Sequence, residues 1–289
     1  MDGLSAPAGT PLTLLFPLGF PGCVPRGRGG LPCAAMRWPV PLAAALALLP
    51  ALATPASAAS SASAAELPLR PPGATAPLGN ERLSNETTLT RWAHAASRAP
   101  VRTRPRTGVR TITRLRAQTE DGLPEVYLAL RSQVDETGCA WVQIRLPMRP
   151  NGRTGWVTRE ALADLEVVRT RLTVSRRTLR ATLYDRGRVV WRSRVGVGAP
   201  GTPTPAGSFY VRERLRNLRG GTIYGPWAFG TSAYSVLSDW PGGGVVGTHG
   251  TDQPQLIPGR PSHGCVRVPN AAIRRLARLM PVGTPVRIT

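Results

Sequence analysis

Short stretches in which apolar and polar residues alternate recur along the chain from about residue 107 onward. Val142, Ile144 and Leu146 fall on one face of an extended segment and polar residues fall between them, which is the period of two expected of a half-buried strand. The same pattern predicts strands over residues 172–175, 178–184, 189–197 and 284–288. The chain is therefore predicted to be mainly β.

One segment has the helical period instead. It lies between Asn270, which is predicted to cap it, and Pro281, which ends it. Its apolar residues recur at i, i+3, i+4 and i+7, and they are Ile273, Leu276, Ala277 and Met280. The arginines between them are expected on the solvent face.

The 31 Gly and 30 Pro residues argue against long helices and for short strands joined by turns. Residues 59–106, rich in Ala, Pro, Ser and Thr, are predicted to be a linker with at most a short helix around Thr90–Ala96, where His94 is a surface residue. Residues 107–166 are predicted to form a small β module, and residues 167–289 a separate domain.

The first 58 residues indicate export. Met36 and Arg37 precede an apolar run over residues 42–49, and Ala56-Ser57-Ala58 follows it as a small-residue cleavage site, the arrangement of a secretory signal peptide. We therefore predict that translation starts at Met36. A stable membrane span is not expected, because prolines interrupt the run and a spanning helix needs about 20 apolar residues.

Charge points to an anionic partner. The chain has 37 basic and 16 acidic residues, a formal net charge of +21, and most of the excess lies beyond residue 167. Such a surface attracts nucleic acid, membranes or acidic wall polymers. Export argues against nucleic acid and favours the cell wall.

The residues most suited to chemistry lie close together in the chain. His249-Gly250-Thr251 is followed by Ser262-His263-Gly264-Cys265-Val266-Arg267, and these segments contain two of the three histidines in the chain. A thiol attacks carbonyls as the thiolate, and a nearby imidazole can accept its proton. Backbone N–H groups around Gly264 can bind a developing oxyanion, and Arg267 can favour the thiolate or bind a carboxylate.

Three other interpretations of these residues remain open. His249, His263 and Cys265 could ligate a metal, although a structural zinc site takes four ligands. Cys265 could be a buried, inert thiol. In an exported chain it could also pair with Cys139 in a disulfide.

The pattern of His249, fifteen intervening residues and then Ser262-His263-Gly264-Cys265 resembles the signature of the L,D-transpeptidase (YkuD-type) catalytic domain. Thr204-Pro205-Ala206-Gly207-Ser208-Phe209 and the tail after Pro281 resemble further motifs of that family. The resemblance covers about residues 167–289 and implies a β-sandwich catalytic domain with short helices. Residues 107–166 resemble a bacterial SH3-like barrel, which would be either a wall-binding module or a packing partner.

The resemblance also implies a reaction. Cys265 would attack the carbonyl after the third, diamino-acid residue of a peptidoglycan tetrapeptide stem, release D-alanine and form a thioester. An amine of a neighbouring stem would resolve the thioester into a 3→3 cross-link. Donor and acceptor stems are thus the expected partners, carbapenem-type β-lactams are expected to acylate Cys265, and no metal or organic cofactor is expected.

Individual roles follow from the same match. His249 corresponds to the general base and acid, and the carbonyl of Gly250 orients its ring. His263 and Gly264, together with Cys265, supply backbone N–H groups to the oxyanion site. Ser262 is a supporting hydroxyl, and Arg267 occupies a position where some members have Asn.

Three other functions remain open from the sequence. The thioester could be resolved by water, in an L,D-carboxypeptidase, or by a protein amine, in an enzyme that anchors proteins to the wall. The protein could also be a catalytically silent wall-binding module. The carboxypeptidase and the anchoring enzyme differ from a cross-linking enzyme in the nucleophile that the acceptor cleft admits.

Overall fold

A computed structural model describes residues 78–217, 222–239 and 241–289, and these residues all belong to one compact unit. The predicted signal peptide, the start at Met36 and the first part of the predicted linker lie outside the described residues. Two sheets make up most of the described chain.

The N-terminal sheet is antiparallel and has the strand order β4-β3-β7-β6-β5-β2-β8, with β1 added alongside β5. A single turn of 3-10 helix, Arg159–Ala161, lies between its last two strands. The strands are β1 (Glu81–Arg82), β2 (Thr90–His94), β3 (Pro100–Arg102), β4 (Thr111–Arg114), β5 (Val126–Val134), β6 (Ala140–Arg145), β7 (Thr154–Thr158) and β8 (Glu166–Val168).

The second sheet is mixed and has the order β11-β10-β9-β18-β13-β14-β15-β17-β12-β16. Its strands are β9 (Thr170–Ser175), β10 (Arg180–Asp185), β11 (Arg188–Arg194), β12 (Gly196–Gly198), β13 (Gly207–Arg216), β14 (Trp227–Tyr234), β15 (Val245–His249), β16 (Gly259–Ser262), β17 (Val266–Arg267) and β18 (Pro285–Ile288). One α-helix, α1 (Asn270–Leu279), packs against this sheet.

The cores confirm the mainly β prediction and the predicted faces. Val142 and Ile144 are fully buried in the core of the N-terminal sheet. The four predicted apolar residues of the helix are buried in the core of the second sheet, and the arginines between them are exposed. The predicted closing strand is β18.

The predicted linker differs from the structure. Strands β1, β2 and β3 lie within residues 78–106, and the segment expected to be at most a short helix is β2. Trp92 and Ala93 are buried, and β2 forms ladders with both β5 and β8. Pairing with distant strands therefore decides the conformation of a segment whose local composition indicates a linker.

The two sheets contact each other through buried polar and apolar groups. Tyr210 of β13 is fully buried among residues of the N-terminal sheet, and its hydroxyl donates to the carbonyl of Val126 at 2.8 Å. The guanidinium of Arg212 donates from Nε to Glu125 at 2.7 Å and also binds Glu120 at 2.8 Å. Tyr210 and Arg212 both belong to β13, so the N-terminal sheet is attached to the second sheet through this strand.

Within the described residues, no helix has the length and apolar character needed to cross a bilayer.

Candidate active site

Parallel pairing of two short strands brings His249 and Cys265 together. Strand β15 ends at His249, which is opposite Arg267 of β17. Cys265 comes directly before β17, and its Sγ accepts a hydrogen bond from the backbone N–H of Gly247 at 3.4 Å. His249 and Cys265 line the same cavity, so the two residues predicted from their spacing in sequence do meet at one site.

The ring of His249 is buried, with 4% of its surface exposed. Its Nδ1 lies 2.6 Å from the carbonyl oxygen of Gly250, and because a carbonyl only accepts, Nδ1 carries the proton. The ring of Tyr224 stands edge-on to the imidazole, with ring centres 5.0 Å apart. Burial lowers the pKa of His249 to about 4. The resting imidazole is therefore neutral, and Nε2 is its unprotonated nitrogen.

Asn270 holds the loop that follows His249. Its Oδ1 accepts the backbone N–H of Thr251 at 2.9 Å, and a Cβ at Gly250 or Gly225 would collide with this amide oxygen. The prediction that Asn270 caps the helix was wrong. Asn270 is the first residue of α1, and Pro269 occupies the cap position without a side-chain cap bond. The Asn270 side chain turns towards the loop instead.

A tight turn over residues 262–265 presents the thiol. Ser262 is buried, and its hydroxyl donates to the carbonyl of Cys265 at 2.6 Å and accepts the N–H of Gly264 at 3.2 Å. Gly264 has φ +124°, a conformation that favours glycine, and a Cβ there would approach the hydroxyl of Ser235 at 3.1 Å. That hydroxyl donates to the carbonyl of His263 at 2.9 Å. Both faces of the turn are thus held by serine side chains.

Cys265 carries a free thiol, so the alternative disulfide with Cys139 is not formed. Burial raises the pKa of the thiol, and the Gly247 amide and Arg267 oppose that shift. Since burial also keeps His249 neutral, the resting pair is a thiol and an imidazole rather than an ion pair. Chemistry at this site requires proton transfer from sulfur during attack.

Arg267 lines the cavity beside the thiol. Its guanidinium donates to the side-chain carbonyl of Gln253 at 3.0 Å. The imidazole of His249 and the turn of residues 262–265 line the same cavity, together with Tyr224 and Ser235. Among the described residues, His249, His263 and Cys265 do not form a group with the arrangement of metal ligands.

Several residues that line or hold the site were not predicted from the sequence. Ser235, Tyr224 and Asn270 hold the site by the contacts described above. Glu213 and Asp121 line a second, larger cavity that also reaches Cys265 and His249. Asn270 was predicted only as a helix cap. No local sequence pattern marks the other four residues, because strand pairing or contact between the two sheets brings each of them to the site.

Comparison with known proteins agrees with this site. Residues 169–288 match the family model of the YkuD L,D-transpeptidase catalytic domain. Over 113 residues the chain is 36% identical to a Bacillus licheniformis protein provisionally named L,D-transpeptidase YkuD. This alignment covers 39% of the present chain and 60% of the B. licheniformis protein. A Bacillus subtilis protein of the same provisional name is 35% identical over 107 residues, covering 37% and 58%. The chain thus spans about three fifths of these relatives.

Solved structures of the family resemble part of the chain. An L,D-transpeptidase of Enterococcus faecium is 27% identical, with 42% of this chain and 49% of that chain covered and a TM-score of 0.34. The catalytic domain of an E. faecium L,D-transpeptidase acylated by ertapenem is 28% identical, with 42% and 96% covered and a TM-score of 0.30. Residues 169–288 of the present chain are a YkuD-type L,D-transpeptidase catalytic domain.

Proposed function

We propose that the protein is an exported peptidoglycan L,D-transpeptidase that forms 3→3 cross-links through a thioester on Cys265. The observation that carries the proposal is the orientation of His249. Its Nδ1 is tied to the Gly250 carbonyl, and its ring lines the cavity that contains the Cys265 thiol. A neutral imidazole held in this tautomer is suited to accept a proton on Nε2.

In the proposed first half-reaction, the sulfur of Cys265 bonds to the carbonyl carbon that follows the diamino-acid residue of a donor tetrapeptide. The thiol proton passes to Nε2 of His249. The carbon–nitrogen bond to D-alanine then breaks, and His249 returns the proton to the leaving amine. The products are D-alanine and a thioester.

In the second half-reaction, a primary amine of the acceptor stem attacks the thioester carbon. His249 takes a proton from that amine and delivers it to the departing sulfur, which restores the thiol. The new amide is the cross-link. No redox step or cofactor enters this scheme.

Backbone N–H groups of residues 263–265 are proposed to bind the oxyanion of both tetrahedral intermediates. The Gly264 amide already donates to the hydroxyl of Ser262, so its participation would require that bond to open. Ser262 itself is proposed to hold the turn, through its bond to the carbonyl of Cys265. Arg267 is proposed to bind a substrate carboxylate in place of Gln253.

Export and the nature of the N-terminal sheet belong to the same proposal. Residues 36–58 would direct the chain across the membrane and be removed, and the basic surface would face the anionic wall. We propose that the N-terminal sheet is an SH3-like module, with β4 and β8 at the edges of its strand order. The catalytic segment would be the β-sandwich that the family resemblance implies.

Product analysis tests this function against its alternatives. The purified protein and its Cys265→Ser variant are incubated with disaccharide-tetrapeptide, and the products are identified by mass spectrometry. A dimer that lacks one D-alanine, made only by the protein with the thiol, is the expected result. Tripeptide without dimer would identify a carboxypeptidase. A stem joined to a protein amine would identify an anchoring enzyme, and unchanged substrate would identify a silent wall-binding module.

A further inference from the structure

Glu213 is a buried acid in a basic half of the chain. It is one of four acidic residues after position 166, and only 2% of its surface is exposed. Its Oε2 is buried and has no hydrogen-bond partner among the described residues. Burying a carboxylate oxygen without a partner costs free energy. Thr119 and Asp121 hydrogen-bond the side chain of Glu213, so the buried Oε2 is the atom that a cationic group of a ligand can pair with.

A glycine-lined path joins this carboxylate to the thiol. Glu213 of β13 is opposite Gly230 of β14, and Gly230 is opposite Gly247 of β15, whose N–H contacts the sulfur of Cys265. A Cβ at Gly230 would collide with the Glu213 carboxylate, so that carboxylate lies above the glycine. With neighbouring strands about 4.8 Å apart, the carboxylate and the thiol are separated by roughly one to two strand spacings.

The space above this path is a cavity of about 620 Å³ that Glu213, Gly230, Gly247, His249 and Cys265 all line. It is large enough for a peptide side chain. Since directly opposed residues in a sheet share a face, the absence of side chains at the two glycines leaves the passage from thiol to carboxylate open.

A second carboxylate comes from the N-terminal sheet. Asp121 lies between β4 and β5 and lines the same cavity. Burial and the neighbouring Asp121 raise the pKa of Glu213 to about 6, while Thr119 and Arg212 oppose the shift. Arg216 is the basic residue of β13 on the cavity wall. Two carboxyl groups, those of Glu213 and Asp121, therefore line the cavity that reaches the thiol.

We propose that Glu213, together with Asp121, binds a primary ammonium group of the substrate peptide beside Cys265. This inference rests on the proposed function and adds to it the group that the cleft recognises. It also gives the N-terminal part of the chain a role in substrate binding, since Asp121 lies in the loop between β4 and β5 and outside the family-matched segment.

Two ammonium groups of the proposed substrates have the required chemistry. The side-chain amine of the donor's diamino acid lies six bonds from the acyl carbon and extends about 7 Å, at the reach of roughly 3.5 Å per three bonds of an extended chain. An acceptor bound as an ammonium ion must first give one proton to the Glu213 carboxylate, and the resulting amine must come within about 3–3.5 Å of the same carbon to react. Either amine can therefore reach the Glu213 carboxylate while the acyl carbon is at the thiol, because thiol and carboxylate are only one to two strand spacings apart.

Equilibrium binding tests the site without turnover. The Cys265→Ser variant is titrated calorimetrically with a tetrapeptide stem whose third residue is lysine, and with the same peptide acetylated on the lysine amine, which removes the charge. We expect the free amine to bind at least about tenfold more tightly, as one charge-assisted hydrogen bond implies. Equal affinities for the two peptides would overturn the proposal.

A second variant locates the effect. Adding Glu213→Gln to Cys265→Ser is expected to remove the preference by weakening only the free-amine peptide, and Asp121→Asn is expected to reduce it. Glu136→Gln, at an exposed carboxylate in the turn after β5, is the matched control and should keep the full preference. A preference that survives Glu213→Gln, in a variant whose melting temperature is no lower than that of the Cys265→Ser protein, would contradict the assignment.

Single-turnover kinetics in the protein with its thiol then identify the source of the amine. Slower acylation by the free-amine tetrapeptide in the Glu213→Gln variant assigns the site to the donor side chain. Slower resolution of a preformed thioester by an added amine assigns it to the acceptor. Either result supports the proposal, and unchanged rates in both steps would contradict it.

Failure of the proposed function would look different. Ertapenem does not require the amine of a stem peptide, so a protein that neither ertapenem nor tetrapeptide acylates on Cys265 would refute the proposed reaction, whatever the binding experiment shows. Acylation combined with equal peptide affinities would refute only the ammonium site.

Discussion

The Nδ1 atom of His249 lies 2.6 Å from the carbonyl oxygen of Gly250, the residue that follows it in the chain. Asn270 holds the backbone just beyond, through the N–H of Thr251. The imidazole is thereby fixed in one tautomer and one orientation before any substrate binds. The proposed proton transfer depends on this arrangement, because it leaves Nε2 to receive the thiol proton.

Removing the imidazole is expected to abolish acylation. The His249→Ala variant should retain the fold but acylate Cys265 with ertapenem at least about a hundredfold more slowly, the lower range of general base catalysis. Stopped-flow fluorescence or intact mass against time measures the rate. An acylation rate within about twofold of the unaltered protein would remove His249 from the mechanism.

The pH dependence of acylation is expected to reflect the buried environment of the base. Because burial lowers the pKa of His249 to about 4, the ring stays neutral as the pH falls through the range in which an exposed histidine becomes protonated. The ertapenem acylation rate at pH 5.5 should therefore remain more than about half of its value at pH 7.5. A fall to about one tenth, as an imidazole of ordinary pKa near 6.5 would give, would contradict the assignment.

The contact between the two sheets is expected to contribute strongly to stability. Glu125 is fully buried and binds the guanidinium of Arg212 at two positions. Glu125→Gln removes the fully buried carboxylate of the pair and leaves Arg212 only its contact with Glu120, so the loss is expected to be about 3 kcal/mol, the lower end of the range for breaking a buried ion pair. Urea unfolding of this variant, with the exposed Glu136→Gln as control, measures the loss.

A compensating double variant separates the charge from the packing. Replacing both partners, as Glu125→Leu with Arg212→Met, should recover most of the lost stability, because neither charge is then buried alone. A double variant less stable than Glu125→Gln would show that the pair acts through more than its mutual attraction.

Glu213 is expected to destabilise the fold at neutral pH. Its pKa in the folded protein is about 6, above the ordinary 4.5, so the folded state binds more protons between these values and stability falls as the pH rises through this window. Glu213→Gln should therefore raise the free energy of unfolding by about 1–2 kcal/mol at pH 7.5, and the gain should disappear near pH 4.5. His249 titrates in both proteins, and its effect cancels in the difference.

Urea unfolding at the two pH values measures this difference. A variant that is less stable than the unaltered protein at pH 7.5 would show that the carboxylate has a structural partner in the fold. That result would also weaken the case for an ammonium site at Glu213.

Local sequence patterns predicted those features that depend on neighbouring positions. The apolar residues from Ile273 to Met280 share one face of any helix, and Val142 and Ile144 share one face of any strand. Both faces are buried as expected. The spacing of His249 and Cys265 predicted a shared site, and a parallel pair of strands provides it.

Features that depend on distant pairing were not predicted. Thr90–His94 forms a strand because β5 and β8 flank it. Asn270 turns to Thr251 rather than capping its own helix. Glu213 and Asp121 enter the cavity only when the two sheets have packed together. Composition and period carry no information about such contacts, because the partner residues are far apart in the chain.

Thioester formation on Cys265 is tested by a search for the acyl-enzyme itself. The protein is mixed with disaccharide-tetrapeptide, quenched in acid within seconds, digested and analysed by mass spectrometry. We expect the peptide containing Cys265 to carry the stem without its terminal D-alanine, and hydroxylamine, which cleaves thioesters, to remove the adduct. A folded, reduced protein that releases D-alanine without ever carrying an adduct on Cys265, or that carries the adduct on another residue, would contradict it.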